Sequence, residues 1–203
     1  MEQAKFQPTY YTPEEYFALE ARSEVRYEFF DGEIFAMAGA SSAHNLLKGN
    51  LVAALRTGAR ERRCRVFDEN MRLAVQEGLH YAYPDIMVTC HPADRRNTLT
   101  VNHPVLIVEV LSPGTADYDR TGKFRQYQKL PSLRHYLLVS QAQWSVEWYR
   151  RNEAGEWVYT VLNEAADVLE IPDLGLKVPL ADIYDDTDVP FLRVVPPTAT
   201  DVL

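Results

Sequence analysis

The sequence predicts an α/β protein in which helices flank a mixed β-sheet and β-hairpins are added at both ends. Two observations support this class. Residues 104–111 form an almost continuous apolar run, which is typical of a strand buried on both faces of a sheet. Before and after this run, segments with apolar residues at helical spacing alternate with short segments that favour strands.

Length and composition predict how the chain is organised. The protein has 203 residues, of which 46% are hydrophobic and 25% charged, so it has the make-up of a folded globular protein. We expect a single domain over residues 1–203. Its core spans about residues 12–150, and a C-terminal hairpin with an acidic extended arm occupies about residues 151–203.

The first elements are indicated by capping and turn signals. Thr12 and Glu15 form a capping box that opens a short helix, and Asp31-Gly32 suits a tight hairpin turn because both central positions need positive φ. A serine at position 41 or 42 caps the next helix. The elements expected in this half are helices over residues 13–21 and 43–60 and strands over residues 26–30, 33–38, 64–67, 71–75 and 81–90.

The second half begins with the apolar run. Gly114 and its neighbours end that run, and the helix that follows is stopped by Pro131. Two segments in which tryptophans alternate with polar residues flank a turn at residues 152–155, which predicts a hairpin. The elements expected here are strands over residues 104–111, 135–139, 144–148 and 157–161 and a helix over residues 117–130.

Charge is distributed unevenly along the chain. The formal net charge is −8, from 21 basic and 29 acidic residues, which argues against coating of nucleic acid by bulk positive charge. Residues 164–188 are strongly acidic, and Lys177 is their one basic residue. A cluster of arginines either holds phosphates or forms a solvated helix end. Its members are Arg56, Arg60, Arg62, Arg63 and Arg65.

Two features predict the cell compartment. No apolar run approaches the length of a membrane span, about 18 residues, and residues 1–10 lack the layout of a secretory signal. We therefore expect a cytoplasmic protein with no membrane partner. Cys64 and Cys90 have neither CxxC nor metal-finger spacing and are expected to be reduced, packed thiols.

Glu109 is the most informative residue, because it lies inside the apolar run. An unpaired carboxylate in a buried strand is costly, so a partner must compensate it. Glu109 therefore either forms a structural salt bridge or has a functional role, as a metal ligand or in a catalytic proton transfer.

Asp85 begins another apolar segment and is expected at the same edge of the sheet. If that segment pairs antiparallel with residues 105–111, Asp85 lies beside the end of the Glu109 strand. Adjacent carboxylates repel each other unless a cation lies between them, and hard oxygen ligands suit Mg²⁺ or Mn²⁺. Asp85 and Glu109 are therefore candidate metal ligands.

The helix after the Glu109 strand must begin at this same edge. Lys123 lies in its first turns, where its ammonium can hold a metal-bound water or offset charge on an attacked phosphate. Most helix lysines are simply solvated, and that alternative stays open. Tyr127 lies one turn further on the same face and is either part of the core or part of the site.

Several short motifs resemble those of a known family. They are Tyr27-Glu28 before Asp31-Gly32-Glu33, His44 on the next helix, Pro84-Asp85, Val108-Glu109-Val110-Leu111-Ser112-Pro113, and Asp119-Arg120 before Lys123 and Tyr127. Their order and spacing over about residues 12–150 resemble a large bacterial family assigned to the PD-(D/E)XK, restriction-endonuclease-like superfamily.

The resemblance implies a restriction-endonuclease-like fold that holds Mg²⁺ or Mn²⁺ and hydrolyses phosphodiester bonds of nucleic acid, with DNA as the expected partner. Related proteins are often dimers, so a homodimer is also expected. Glu28 would be a further ligand or a proton acceptor, unless it is only a surface charge. The residues implied are Asp85 and Glu109 as metal ligands and catalytic residues, Lys123 and Glu28 as further catalytic residues, and His44 and Tyr127 in support.

One position departs from the superfamily pattern. The lysine that usually follows the glutamate by two residues is replaced by Leu111, and Lys123 matches a lysine that this family supplies from the next helix. The leading prediction is therefore a metal-dependent endonuclease. The alternatives are a catalytically inactive module of the same fold that binds nucleic acid or protein, and a hydrolase of a small phosphorylated compound.

Overall fold

A computed structural model of the protein describes residues 10–37, 39–68 and 70–191. Short groups of helices separate longer runs of strands along these ranges. The helices are α1 (Pro13–Glu20), α2 (Ser42–Glu61), α3 (Ala116–Tyr118), α4 (Phe124–Tyr127) and α5 (Leu180–Ile183). The strands are β1 (Tyr27–Phe30), β2 (Glu33–Ala36), β3 (Arg65–Asp68), β4 (Arg72–Gln76), β5 (His80–Ala82), β6 (Ile86–Thr89), β7 (Thr100–Val101), β8 (Leu106–Leu111), β9 (His135–Ser140), β10 (Val146–Arg151), β11 (Trp157–Leu162), β12 (Val168–Ile171) and β13 (Leu176–Pro179).

The strands form two main sheets and a small one. The larger sheet has the order β11-β10-β9-β8-β6-β3, in which β8 and β9 are parallel and the other neighbours are antiparallel. A second sheet has the order β2-β1-β5-β4-β7, and β12 pairs with β13 alone. The predicted class, a mixed sheet flanked by helices, is confirmed. In the described ranges, no helix is long and apolar enough to cross a membrane.

Strand β8 lies inside the larger sheet and is buried along its whole length. Successive side chains of a strand point to opposite faces. Val108 and Val110 belong to the core cluster that includes α2, whereas Ile107 and Leu111 belong to the cluster that includes Tyr127. By this alternation, Glu109 lies on the Ile107 face of the sheet.

Local signals place the first elements as predicted. The Thr12 hydroxyl accepts a hydrogen bond from Glu15 N at 3.2 Å, and the Glu15 carboxylate accepts one from Thr12 N at 2.8 Å. Asp31 and Gly32 have φ values of 48° and 87°, as their tight turn requires. The Ser41 hydroxyl caps α2 by accepting a hydrogen bond from the backbone N–H of His44.

Two predicted elements differ in the structure. The strand expected over residues 81–90 is divided into β5 and β6, which belong to different sheets. Pro84 lies at the division, where it has no N–H to donate to a sheet. The helix expected over residues 117–130 contains a π-helical turn, Asp119–Lys123, between α3 and α4.

The prediction of an extended arm is wrong for the described part of the C-terminal region. Hairpin β12–β13 and α5 pack against α2, and Leu169 and Ile183 are fully buried in its core cluster. Beyond α5, Tyr184 and Val189 are also buried. The acidic residues are therefore carried on a folded segment, and residues 192–203 of the expected arm lie outside the described residues.

The prediction of reduced cysteines is also wrong. Cys64 and Cys90 form a disulfide, with their Cα atoms 4.1 Å apart. Strand pairing explains the contact, because Arg65 is paired with Thr89 and the two cysteines lie one step beyond this pair. Sequence spacing does not reveal the bond, since the two cysteines are 26 residues apart.

Replacing both cysteines with serine should lower the free energy of unfolding by about 2–4 kcal/mol, because the disulfide restricts the unfolded chain. Urea unfolding of protein purified without reductant measures the change. Reductant should destabilise the wild type to a similar extent and leave the double variant unaffected. Rapid alkylation of both thiols in the folded, unreduced protein would contradict the bond.

Candidate active site

A cavity of about 620 Å³ lies where the two main sheets meet. Strand β1, the N-terminus of α2, the end of β8 and the π-helical turn all contribute to its wall. Five of the six predicted site residues line this cavity, and the sixth, Tyr127, lies behind Glu109. The five are Glu28, His44, Asp85, Glu109 and Lys123.

Asp85 and Glu109 are neighbours at one end of β6 and β8. Ile86 pairs antiparallel with Val108, which places Asp85 one step further along, opposite Glu109. Asp85 Oδ2 accepts a hydrogen bond from Val110 N at 2.7 Å. The structure therefore brings the two carboxylates to the sheet edge at which the sequence predicted them.

His44 holds Asp85 from the N-terminus of α2. Its Nε2 atom lies 3.2 Å from Asp85 Oδ2, and its Nδ1 atom is buried with no hydrogen-bond partner in the described part of the chain. A neutral ring with hydrogen on Nε2 would donate to the carboxylate. Together with Val110 N, His44 fixes Oδ2 and leaves Oδ1 free of hydrogen bonds from the described residues.

Lys123 is surrounded by three carboxylates. Its Nζ atom lies 3.2 Å from Glu109 Oε1, 3.4 Å from Asp119 Oδ1 and 3.5 Å from Glu28 Oε1. Burial by itself would lower the pKa of Lys123, but these carboxylates raise the pKa well above its usual value. Lys123 is therefore a largely buried ammonium group, with 14% of its side chain exposed, rather than a solvated helix lysine.

Tyr127 supports Glu109 from inside the core. The fully buried Tyr127 hydroxyl donates a hydrogen bond to Glu109 Oε1 at 2.9 Å, on the same oxygen that Lys123 contacts. Burial raises the pKa of Glu109 to about 8, and Lys123 opposes that rise. Glu109 lines the cavity, and its Oε2 atom accepts no hydrogen bond from the described residues.

Asp119 belongs to one of the family motifs, but the sequence analysis gave it no role in the site. It lines the cavity, is almost fully buried, and has Oδ2 bound by the Thr115 hydroxyl at 2.8 Å. Its Oδ1 atom accepts no well-oriented hydrogen bond in the described ranges but lies beside the Lys123 ammonium. The available signal was the spacing of four residues between Asp119 and Lys123, which is typical of helical ion pairs.

The cavity is rich in negative charge. Glu28, Asp85, Glu109 and Asp119 line it, and Lys123 is the one lysine or arginine among the described residues of its lining. When all four carboxylates are ionised, the formal charge of these side chains is −3. Such an excess in a partly buried site favours binding of a cation.

The donor set fits Mg²⁺ or Mn²⁺. Asp85 and Glu109 line the cavity, and their carboxylates supply hard oxygen donors. Within the described residues, no group of three or more His, Cys, Asp or Glu side chains is arranged around a common metal position. Mg²⁺ usually takes one or two carboxylates and completes its coordination with water and substrate phosphate, so two ligands suffice.

The arginine cluster of residues 56–65 lies away from the cavity. Arg65 pairs with Thr89, at the end of β6 opposite Asp85. The Arg62 guanidinium donates a hydrogen bond to the backbone carbonyl of Pro172. The Arg65 guanidinium donates one to the backbone carbonyl of Arg95. A phosphate-binding role for this cluster stays a prediction.

The fold and the site define the class: a restriction-endonuclease-like α/β protein with a carboxylate pair and a lysine at a sheet edge. The chain belongs to the Uma2 family, described as "Putative restriction endonuclease", whose model matches residues 13–181. This match confirms the resemblance predicted from the motifs and supports a nuclease-like function.

Two relatives from Synechocystis sp. and one solved structure are similar to this chain. "Uncharacterized protein slr1290" is 38% identical to this chain, and the match covers 85% of this chain and 90% of the relative. "Uncharacterized protein sll1609" is 37% identical, and the match covers 77% of this chain and 90% of the relative. The crystal structure of "a putative nuclease belonging to DUF820" from Anabaena variabilis has a TM-score of 0.71 and 20% identity over 86% of this chain and 97% of its own. The solved structure shows a shared fold. The homodimer and the cytoplasmic location stay predictions.

Replacing Lys123 with Met should lower the free energy of unfolding by about 3 kcal/mol in EDTA, because three carboxylates lose their buried cation. Lys129→Met is the matched control, since Lys129 is exposed in the turn that follows α4. Chemical denaturation monitored by circular dichroism measures both. Equal stability of the two variants would show that the Lys123 ion pairs contribute little.

Proposed function

We propose that this protein is an endonuclease that uses a divalent metal ion to hydrolyse phosphodiester bonds of nucleic acid, with DNA as the first substrate to test. The observation that carries the proposal is the pairing of Asp85 with Glu109 in one cavity, with Lys123 bound to Glu109. Membership of the Uma2 family, described as "Putative restriction endonuclease", supports it.

Asp85 and Glu109 are the proposed ligands of Mg²⁺ or Mn²⁺. The oxygens that their protein partners leave free, Asp85 Oδ1 and Glu109 Oε2, are the candidate donors. When bound, the ion would activate a water molecule and neutralise charge on the phosphate. A polyanionic substrate would otherwise meet an excess of carboxylates.

His44 and Tyr127 are proposed as positioning residues. His44 and the backbone of Val110 fix one oxygen of Asp85, and Tyr127 fixes one oxygen of Glu109. Ligands whose orientation is fixed before binding lose less freedom when the metal and substrate arrive.

Lys123 and Glu28 are proposed to act on the reacting groups. The Lys123 ammonium lines the cavity and can donate a hydrogen bond to the attacking water or to a phosphate oxygen whose charge increases. Glu28 Oε1 accepts a hydrogen bond from Tyr83 N at 3.4 Å, which holds the carboxylate at the cavity wall. From there it can accept a proton from the attacking water.

Asp85→Asn and Glu109→Gln should each abolish saturable Mn²⁺ binding and reduce cleavage by about a hundredfold or more, because each removes a metal ligand. Isothermal titration calorimetry measures binding, with and without an oligonucleotide to complete the site. Endonucleolytic cleavage is measured as the conversion of closed circular DNA to nicked or linear DNA, with single-stranded and duplex circles tested separately. Lys123→Met should retain Mn²⁺ binding and lose rate.

Asp117→Asn is the matched control, since Asp117 is an exposed acid near the site but outside the cavity wall. This variant should behave like the wild type in both assays, and EDTA should stop cleavage. Cleavage that persists in Asp85→Asn would reject the proposed site. If the protein cleaves nothing, and its affinity for nucleic acid is unchanged by EDTA and by Asp85→Asn, it is a binding module instead.

A further inference from the structure

Part of the cavity wall is aromatic and open to solvent. Phe35 and Tyr118 line the cavity with side chains that are 50% and 48% exposed, and Met37 lies in the same wall. Apolar and aromatic side chains grouped in the wall of a concave site are typical of ligand-binding surfaces. The face of an aromatic ring offers such a contact to a planar group.

Tyr118 is supported from one side by Gly122. A Cβ atom at position 122 would lie only 2.3 Å from Tyr118 Cε2, so the ring packs against the glycine backbone and leaves no room for a side chain there. The Tyr118 hydroxyl forms no hydrogen bond with the described residues. The ring is therefore held in place by the π-helical turn while about half of it stays uncovered.

The charges of the cavity suit base contacts better than contacts along a phosphate backbone. Proteins that bind duplex DNA neutralise many phosphates with lysine and arginine, whereas Lys123 is the one such residue in the described part of this wall. The arginine cluster is at the far end of β6. A cavity of about 620 Å³ is in the size range of small-ligand sites and is better suited to unpaired nucleotides than to a stacked duplex.

We infer that the cavity takes an unpaired base of single-stranded nucleic acid, stacked on the exposed face of the Tyr118 ring, with Phe35 as a second apolar contact. This inference rests on the proposed function and names its substrate class. Stacking tolerates any base, because every base has a flat π-face. The phosphate next to the stacked base would lie in the cavity that holds Asp85 and Glu109.

The test is binding of a short single-stranded oligonucleotide that carries 2-aminopurine, whose fluorescence falls when the base is stacked. Ca²⁺ is the added cation, and a duplex of the same sequence is the comparison. Tyr118→Leu should weaken single-strand binding by at least about fivefold and reduce the quenching. Tyr118→Phe keeps the ring and should bind within about twofold of the wild type.

Tyr159→Leu is the matched control. Tyr159 is 52% exposed on β11 and lies outside the cavity wall, so its variant should bind like the wild type. The inference would be overturned if Tyr118→Leu bound the single strand with wild-type affinity. It would also be overturned if the wild type bound no oligonucleotide or preferred the duplex.

Cleavage in Mn²⁺ is measured separately, so that the two proposals can fail independently. Tyr118-dependent binding without cleavage would support base stacking and reject the nuclease. Metal-dependent cleavage that is unaffected by Tyr118→Leu would support the nuclease and reject base stacking.

Discussion

The carboxylate of Glu109 is buried in an interior strand of the larger sheet, and the surrounding side chains compensate for that burial. Lys123 and Tyr127 both bind Glu109 Oε1, and Asp119 and Glu28 hold the same lysine. One ammonium therefore serves three carboxylates. This arrangement keeps the charged groups together in the fold and leaves one oxygen of Glu109 without a hydrogen bond from the described residues.

The cavity exists because one stretch of chain passes from one sheet to the other. Residues around Pro84 leave β5 in the smaller sheet and enter β6 in the larger one, and Asp85 lies at that crossing. The crossing places Asp85 opposite Glu109, while β1 of the smaller sheet brings Glu28 to the same wall. A continuous strand over residues 81–90 would have kept these groups in one sheet.

The charge of the site and the aromatic wall support one picture of ligand binding. An excess of carboxylates repels phosphate, so a cation is needed before a nucleic acid can approach. With one lysine in the wall, further affinity has to come from apolar and stacking contacts, which Tyr118 and Phe35 can provide. Binding of nucleic acid in this cavity would thus need both the proposed metal ion, which offsets charge repulsion, and the proposed stacked base, which adds affinity.

The sequence alone determined the elements that depend on local signals. The Thr12 capping box, the Asp31-Gly32 turn and the buried strand around Glu109 were predictable because capping, positive φ and continuous apolar character act between neighbours in the chain. The antiparallel pairing that joins Asp85 to Glu109 was a hypothesis drawn from the two apolar segments, and the structure contains this pairing.

Tertiary structure decided what depends on contacts between distant segments. The Cys64–Cys90 disulfide requires the register of β3 on β6, and the folded acidic segment requires the apolar face of α2. Asp119 joins the site because a π-helical turn places it beside the Lys123 ammonium. Periodicity along the chain reports which face a residue occupies but not which distant side chain it meets, because that contact is set by the packing of the two sheets.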